Sequence, residues 1–176
     1  TLAQNFTGSI DIHTRTGDLT LSDGHAIKAS NLYLTADGGL VDIAGSIDVS
    51  GVVGGDVSLF GIKGVTLEST AVIDAHADGY EASDTRQSHG GVVQIGTDGD
   101  GVISVASGAS IDVGARRPGD RLVAMQRNGV TYYTYVAADL GGVVAFRAPI
   151  IGDSAHGTVN VNYAGTIKGA SSIVLE

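Results

Sequence analysis

The feature of this sequence that most limits its fold is a repeated unit of three short segments in which apolar and polar residues alternate. In residues 54–77 the three segments are Val57-Ser58-Leu59, Val65-Thr66-Leu67 and Val72-Ile73-Asp74-Ala75. Alternation at every second residue is typical of half-buried β-strands, and no segment shows the period of an amphipathic helix. A unit of this size cannot bury its apolar face alone, so we expect successive units to stack.

The same unit occurs five times along the chain. Residues 90–115 and 141–170 repeat it downstream, and residues 10–29 and 32–49 repeat it upstream. In the last repeat the second segment is Val159-Asn160-Val161. Aligning the third segments predicts one column of isoleucines that point inward and one column of charged residues that point outward. The inward column is Ile27, Ile47, Ile73, Ile111 and Ile167, and the outward column is Lys28, Asp48, Asp74, Asp112 and Lys168.

Three short strands per repeat, with no helical segment between them, predict an all-β fold: a parallel β-helix of about five to six coils. Residues 172–175 would start the sixth coil. We therefore expect residues 1–176 to form a single β-helix segment of a longer protein, with open strand edges at the cut coils. Three repeats begin with Gly54-Gly55, Gly90-Gly91 and Gly141-Gly142, and such pairs are typical of tight corners with positive φ.

The composition limits the kinds of partner that this chain can bind. Its 176 residues include 27 glycines, 2 prolines and 5% aromatic residues, which suits strands and corners more than helices. The formal net charge of -9 repels phosphate backbones, so no nucleic-acid partner is predicted. No apolar run approaches the roughly 20 residues of a membrane span, and no membrane insertion is predicted. The lack of cysteine excludes disulfides and thiolate metal sites, and leaves the redox compartment open.

Two long excursions, residues 78–89 and 116–140, both follow the third strand of a repeat. In the second excursion Leu122 to Gln126 and Thr131 to Val136 flank Asn128-Gly129, a strong signal for a two-residue turn. We predict a β-hairpin outside the coils. The first excursion is polar without periodicity, which fits either an ordered cover or a flexible loop. Insertions of this kind in stacked repeats often carry binding.

The predicted hairpin holds the candidate residues for binding a partner. Tyrosine and arginine are the side chains that most often anchor protein interfaces. Alternation puts two of the three tyrosines on one face and the third on the other, so one face can pack against the coils while the other stays available. The favoured alternative is that most of the cluster only shields the side of the coils. The candidates are Tyr132, Tyr133, Tyr135, Arg121 and Arg127.

Two clusters contain metal-binding side chains, and neither matches a known metal-site pattern. The loop of residues 96–101 places Asp98 and Asp100 among glycines, but lacks the calcium-binding nonapeptide repeat and the closing glutamate of an EF-hand. An ordinary corner is favoured over a calcium site there, and no cofactor is predicted. The second cluster fits no familiar zinc spacing, and surface histidines beside a loop are favoured. Its members are His76, Asp78, Asp84 and His89.

The chain is predicted not to be an enzyme. Glycosidases need two carboxylates about 5 Å or about 6.5–9.5 Å apart with one pKa raised in a cleft, and solvated outward aspartates do not provide this. The stretch Asp153-Ser154-Ala155-His156 is too compact for a nucleophile relay, and no Gly-x-Ser-x-Gly elbow is present. A groove lined by Asp, Arg and aromatic residues along one strand face would favour a polysaccharide-active protein. The third-strand columns show no such groove.

The last repeat resembles a known family. Its stretch Gly142-Val143-Val144-Ala145-Phe146-Arg147-Ala148-Pro149, followed by residues 157–161 and 165–170, is similar to the rod of filamentous haemagglutinin exoproteins. The resemblance implies a right-handed β-helix in a parent protein that a Gram-negative bacterium secretes by the two-partner route, through an outer-membrane partner. The parent would be released or held at the cell surface. The Asn-Pro-Asn-Gly type motif of the family's secretion module is absent, so the secretion signal is expected elsewhere in the parent.

The repeat, the hairpin and the resemblance together predict a structural and adhesive module of a secreted bacterial surface exoprotein. The expected partner is a host or bacterial surface glycan or protein, and the module itself is expected to be monomeric. Two alternatives stay open. One is a polysaccharide-active β-helix, either a lyase or a hydrolase. The other is an inert stalk that presents an active region located elsewhere in the parent.

Overall fold

The computed structural model describes residues 8–117, 119–152 and 157–176, and every regular element within these ranges is a β-strand. Ser154 and His156, considered above for a nucleophile relay, lie outside the described residues. Sixteen strands form three parallel sheets, and two further pairs are antiparallel. The chain visits the three sheets in turn and then returns to the first, which is the path of a parallel β-helix. The predicted all-β parallel fold and its additional hairpin are confirmed.

The strands are numbered in chain order. The first sheet contains β1 (Ser9–Thr14), β4 (Asn31–Ala36), β7 (Asp56–Gly61), β10 (Val92–Gly96), β15 (Val143–Arg147) and β20 (Ser172–Leu175). The second contains β2 (Leu19–Leu21), β5 (Leu40–Ile43), β8 (Gly64–Leu67), β11 (Val102–Val105) and β18 (Val161–Tyr163). The third contains β3 (Ala26–Lys28), β6 (Ser46–Asp48), β9 (Val72–Asp74), β12 (Ser110–Asp112) and β19 (Thr166–Lys168). The antiparallel pairs are β13 (Arg121–Arg127) with β14 (Val130–Val136), and β16 (Ile150–Ile151) with β17 (Thr158–Val159).

The core consists of columns of identical or similar apolar side chains that stack from coil to coil. The predicted isoleucine column of the third sheet is confirmed residue by residue, from Ile27 through to Ile167. Its three central members, Ile47, Ile73 and Ile111, have no exposed surface. Burying each such side chain contributes about 1.5–3 kcal/mol, so register and stability come from the same contacts.

The second strand of the fifth coil differs from its predicted position. We expected Val159-Asn160-Val161, but the strand that pairs with β11 is β18, with Val161 opposite Ile103 and Tyr163 opposite Val105. Val159 instead pairs with Ile150 in the short antiparallel ribbon of β16 and β17. Val159 and Val161 are both apolar and lie two residues apart, so either could occupy the inward position opposite Ile103. The alternation alone therefore did not determine which of them pairs with β11.

The Gly-Gly pairs have a different role from the predicted one. None of the six glycines has a positive φ, so the expectation of left-handed corners was wrong. A Cβ on Gly91 would lie 1.9 Å from the carbonyl oxygen of Gly55, and a Cβ on Gly142 would lie 1.9 Å from that of Gly91. Glycine is required because the backbones of neighbouring coils approach too closely for any side chain.

This packing predicts that Gly91→Ala destabilises the fold although the backbone conformation suits alanine. We expect the free energy of unfolding to fall by about 1–3 kcal/mol, because the new methyl group forces adjacent coils apart. The matched control is Gly96→Ala, where the added Cβ meets only ordinary contacts of 3.4 Å and 3.9 Å. Chemical denaturation followed by circular dichroism compares the two. Equal stabilities would contradict the close-approach explanation.

Candidate functional site

The hairpin of β13 and β14 leaves the coils after β12, a strand of the third sheet, and the chain rejoins the coils before β15, a strand of the first sheet. Its turn residues Asn128 and Gly129 have φ values of 52° and 74°, the left-handed pair that a type I′ turn requires. Arg121 lies opposite Val136 at the base, and Arg127 lies opposite Val130 at the tip. The Asn-Gly signal therefore located the turn and the strand pairing correctly.

Among the described residues, the buried side chains of the hairpin lie at its base. Val123 and Val136, on one face of the base, are both buried. Nearer the tip the same face carries Met125 and Tyr132, which lie opposite each other and are exposed. The hairpin is thus held at one end and projects at the other.

Arg121 belongs to the anchored base. Its side chain is only 16% exposed, and its Nη1 lies 3.7 Å from Oδ1 of Asp139. Its Nη2 donates hydrogen bonds to the carbonyl oxygens of Arg86, at 2.9 Å, and Asp84, at 3.3 Å. Arg121 was predicted to bind a partner, but the structure uses most of its side chain to join the hairpin to the first excursion.

Asp139 is the second half of this junction, and its side chain has no exposed surface. Its Oδ1 accepts a hydrogen bond of 2.8 Å from the backbone N–H of Ser88. The backbone N–H of Leu140 donates to the carbonyl oxygen of Ser88 at 3.0 Å. A buried carboxylate is costly unless cations and donors surround it, so Asp139 ties the two excursions into one unit.

The first excursion is an ordered cover rather than a loose loop. Arg86 forms a bidentate interaction with Asp84, with its Nη2 2.6 Å from Oδ2 and its Nε 3.0 Å from Oδ1. The hydrogen bonds from Arg86 lower the pKa of the Asp84 carboxyl to about 2. The guanidinium of Arg86 also lies 3.9 Å from the centre of the Tyr80 ring. Sequence reasoning missed this cluster because it has no periodicity.

The outer face of the hairpin carries the exposed apolar surface of the site. Leu122 lies opposite Tyr135, and Ala124 lies opposite Tyr133, so these four side chains share one face. Leu122 and Tyr133 are each 69% exposed and Tyr135 is 63% exposed. Arg127 is exposed at the tip. Four of the five predicted partner-binding residues are therefore accessible, although Tyr132 and Arg127 lie on the opposite face of the hairpin.

The Tyr135 hydroxyl is directed by a carboxylate. It donates a hydrogen bond to Oδ2 of Asp120, while Oδ1 of Asp120 accepts from the backbone N–H of Ala138 at 2.8 Å. The bond from Tyr135 lowers the pKa of Asp120, and the same bond raises the pKa of Tyr135. The hydroxyl is held in one direction, and the face of the ring stays open.

The outward aspartates of the third sheet are turn-forming residues. Oδ1 of Asp112 accepts a hydrogen bond of 2.9 Å from the backbone N–H of Gly114. Asp48 accepts the equivalent bond from Ser50 at 3.0 Å. These aspartates therefore stabilise the corners that follow β6, β9 and β12, which is a structural role.

Asp74 adds a histidine to this arrangement. Nδ1 of the buried His76 lies 2.5 Å from Oδ1 of Asp74, and Nε2 lies 3.0 Å from Oδ1 of Asp78. Burial alone would lower the pKa of His76, but the hydrogen bonds to the two carboxylates outweigh burial and raise it. Arg116 opposes this rise. The protonated ring donates to both carboxylates and clamps the start of the first excursion.

Of the four candidate ligands of the second cluster, His76 and Asp78 are in contact, and Asp84 and His89 have other partners. Asp84 is engaged with Arg86, and His89 Nδ1 contacts the carbonyl oxygen of Gly90 at 3.0 Å. In the loop of residues 96–101, Oδ1 of Asp98 accepts the backbone N–H of Gly99 at 2.7 Å. Among the described residues no group of three or more histidine or acidic side chains is placed to hold a metal ion.

Comparison with protein families, curated proteins and solved structures finds no match to this chain. Within the described ranges there is no helix with the length and apolar character that crossing a membrane demands. What the chain does is therefore inferred from its own side chains.

The buried junction predicts that Arg121→Met loosens the hairpin. The substitution leaves the Asp139 carboxylate without its nearest hairpin cation, and we expect a loss of about 3 kcal/mol in the stability of the excursions. Trypsin cleavage after Arg127, followed by mass spectrometry, should become faster. The double variant Arg121→Met/Asp139→Asn keeps an acceptor for Ser88 and removes the buried charge, so it should recover most of the protection. Cleavage at the wild-type rate in the single variant would show that the junction does not hold the hairpin.

The His76 clamp predicts a pH dependence of stability. The pKa of His76 in the folded chain lies above its ordinary value of 6.5. Its contribution is therefore fully present below pH 6.5 and is lost as the pH rises through the folded pKa. Denaturation between pH 6 and pH 9 should show stability falling, and His76→Gln should flatten the curve. An identical slope in the two proteins would rule out His76 as the titrating group.

Proposed function

We propose that this chain is a non-enzymatic adhesive module in which the hairpin recognises a glycan or protein on a host or bacterial surface. One observation carries the proposal: the face formed by Leu122, Tyr133 and Tyr135 is 63–69% exposed, although the base of the same hairpin is anchored by buried side chains. An exposed aromatic cluster on a rigid support is typical of a binding surface.

Preorganisation favours this role for the hairpin. The junction of Arg121 and Asp139 holds the base, and Asp120 directs the Tyr135 hydroxyl. Tyrosine side chains have few rotatable bonds, so little conformational freedom is lost when they engage a partner. Arg127, exposed at the tip on the opposite face together with Tyr132, adds a charged donor to the projecting end of the hairpin.

We further propose that the module belongs to a filamentous haemagglutinin-like exoprotein of a Gram-negative bacterium. The parallel β-helix supports this, because it is the rod fold that the resemblance of residues 142–149 implies. On this proposal the parent protein uses an outer-membrane secretion partner, and the module lies at the cell surface or is released. The coils then act as a rod, and the hairpin displays the binding surface.

The test is binding to a glycan array and to immobilised bacterial and epithelial cell surfaces. We expect the wild-type chain to bind, and Tyr133→Ser/Tyr135→Ser to lose about tenfold or more in affinity, since two aromatic anchors are removed. The matched control Val72→Ser removes exposed apolar surface from the third sheet and should bind like the wild type. Absence of binding by the wild-type chain would favour the inert stalk.

A further inference from the structure

Gly96, the last residue of β10, is a glycine whose local backbone does not require one. Its φ is not in the left-handed region, and an added Cβ would make contacts of only 3.4 Å with Phe60 and 3.9 Å with Arg147. Glycine in a strand often marks a bulge, a tight bend, or a place where a ligand or another backbone approaches closely. Gly96 therefore differs from Gly91, which the packing of neighbouring coils demands.

The missing side chain opens a groove on the outer face of the first sheet. A concavity of about 550 Å³ extends from Phe60 and Gly96 to Asp98, Arg147 and Glu176. A second concavity of about 430 Å³ shares Phe60, Gly96 and Arg147 with it and continues to Gln94. A third, of about 190 Å³, shares Gln94 and continues towards β4. Together they form one trough that crosses the parallel strands.

The strand register determines which side chains line the trough. Phe60, Gly96 and Arg147 lie side by side in one outward row, because β7, β10 and β15 pair in parallel. The adjacent row has polar and small side chains at the same spacing. Its members are Tyr33, Ser58, Gln94 and Ala145. Each step along a row is about 4.8 Å, which is close to the length of one sugar ring in an extended chain.

We propose that this trough binds a neutral oligosaccharide lying across the strands, along the axis of the coils. Phe60 offers an apolar ring for the face of a sugar, and Gln94 and Arg147 offer planar donors for hydroxyl groups. Asp98 and Glu176 add two carboxylates to the lining that contains Arg147, which disfavours an acidic sugar chain. The net charge of -9 acts in the same direction.

This site is separate from the hairpin. No residue of β13 or β14 lines the trough. Its first concavity lies at the carboxyl ends of β7, β10 and β15, and the second extends back to Val143, beside Gly142 where the hairpin rejoins the coils. Phe60 and Arg147 lie on this sheet face, and Asp98 lies in the loop that follows β10, so an aromatic ring, an arginine and a carboxylate line the same concavity. The proposal concerns binding and includes no cleavage step.

The test measures binding of neutral oligosaccharides, such as cello-, manno- and galacto-hexaose, by titration calorimetry, with oligogalacturonate as the acidic probe. Gly96→Val fills the trough while suiting a strand, and Phe60→Leu removes the aromatic ring but keeps apolar volume. Ser104→Val, on the outer face of the second sheet, is the matched control for added bulk. A chain with residues 120–138 replaced by a tight turn separates this site from the hairpin. Circular dichroism confirms that each variant stays β-rich.

We expect at least one neutral hexaose to bind the wild type, the control and the hairpin-deleted chain equally. Gly96→Val and Phe60→Leu should each weaken binding by about tenfold or more. No binding by the wild type, preference for the acidic probe, or undiminished binding by Gly96→Val would each overturn the proposal. Binding that disappears with the hairpin and survives Gly96→Val would assign recognition to the hairpin alone.

Discussion

The close approach of neighbouring backbones at the corner before β7, β10 and β15 is the contact on which the remaining structure depends. Gly55, Gly91 and Gly142 stack there with room for no side chain between coils. The contact fixes the alignment of successive coils, and the alignment in turn places like residues in columns. The isoleucine core, the aspartate turns and the rows of the outer groove all follow from the same register.

Both excursions begin and end next to this corner, which explains why they meet. Leu140 pairs with His89 immediately before Gly141 and Gly90 begin their coils. The coil alignment therefore delivers the two segments to the same place, and Asp139 with Arg121 joins them there. A buried ion pair adds little net stability but tolerates few alternative arrangements, so its main effect is to specify one docked position for the hairpin.

The sequence was sufficient for most of the strands of the coils, the third-sheet columns and the hairpin, because these depend on period-2 alternation and on one turn signal. It was not sufficient where a feature depends on contacts between residues that are far apart in the sequence. The reason for the Gly-Gly pairs is contact with another coil, and the role of Arg121 depends on the path of residues 84–86. Val159 and Val161 satisfied the same alternation, so only three-dimensional packing selected between them. The groove beside Gly96 depends on which outward residues of the first sheet lie side by side, and the pairing of β7, β10 and β15 determines this.

A stacked coil separates the requirements of the core from those of the surface. Each inward position must match its neighbours above and below, as Leu59, Ile95 and Phe146 do. The outward position one residue further along faces solvent and is free to vary. A glycine there, at Gly96, removes a side chain without disturbing the buried column, and the neighbouring coils then supply the walls of a groove. A rod of this kind can therefore carry two independent surfaces, one on its sheet face and one on an excursion, while its core stays the same.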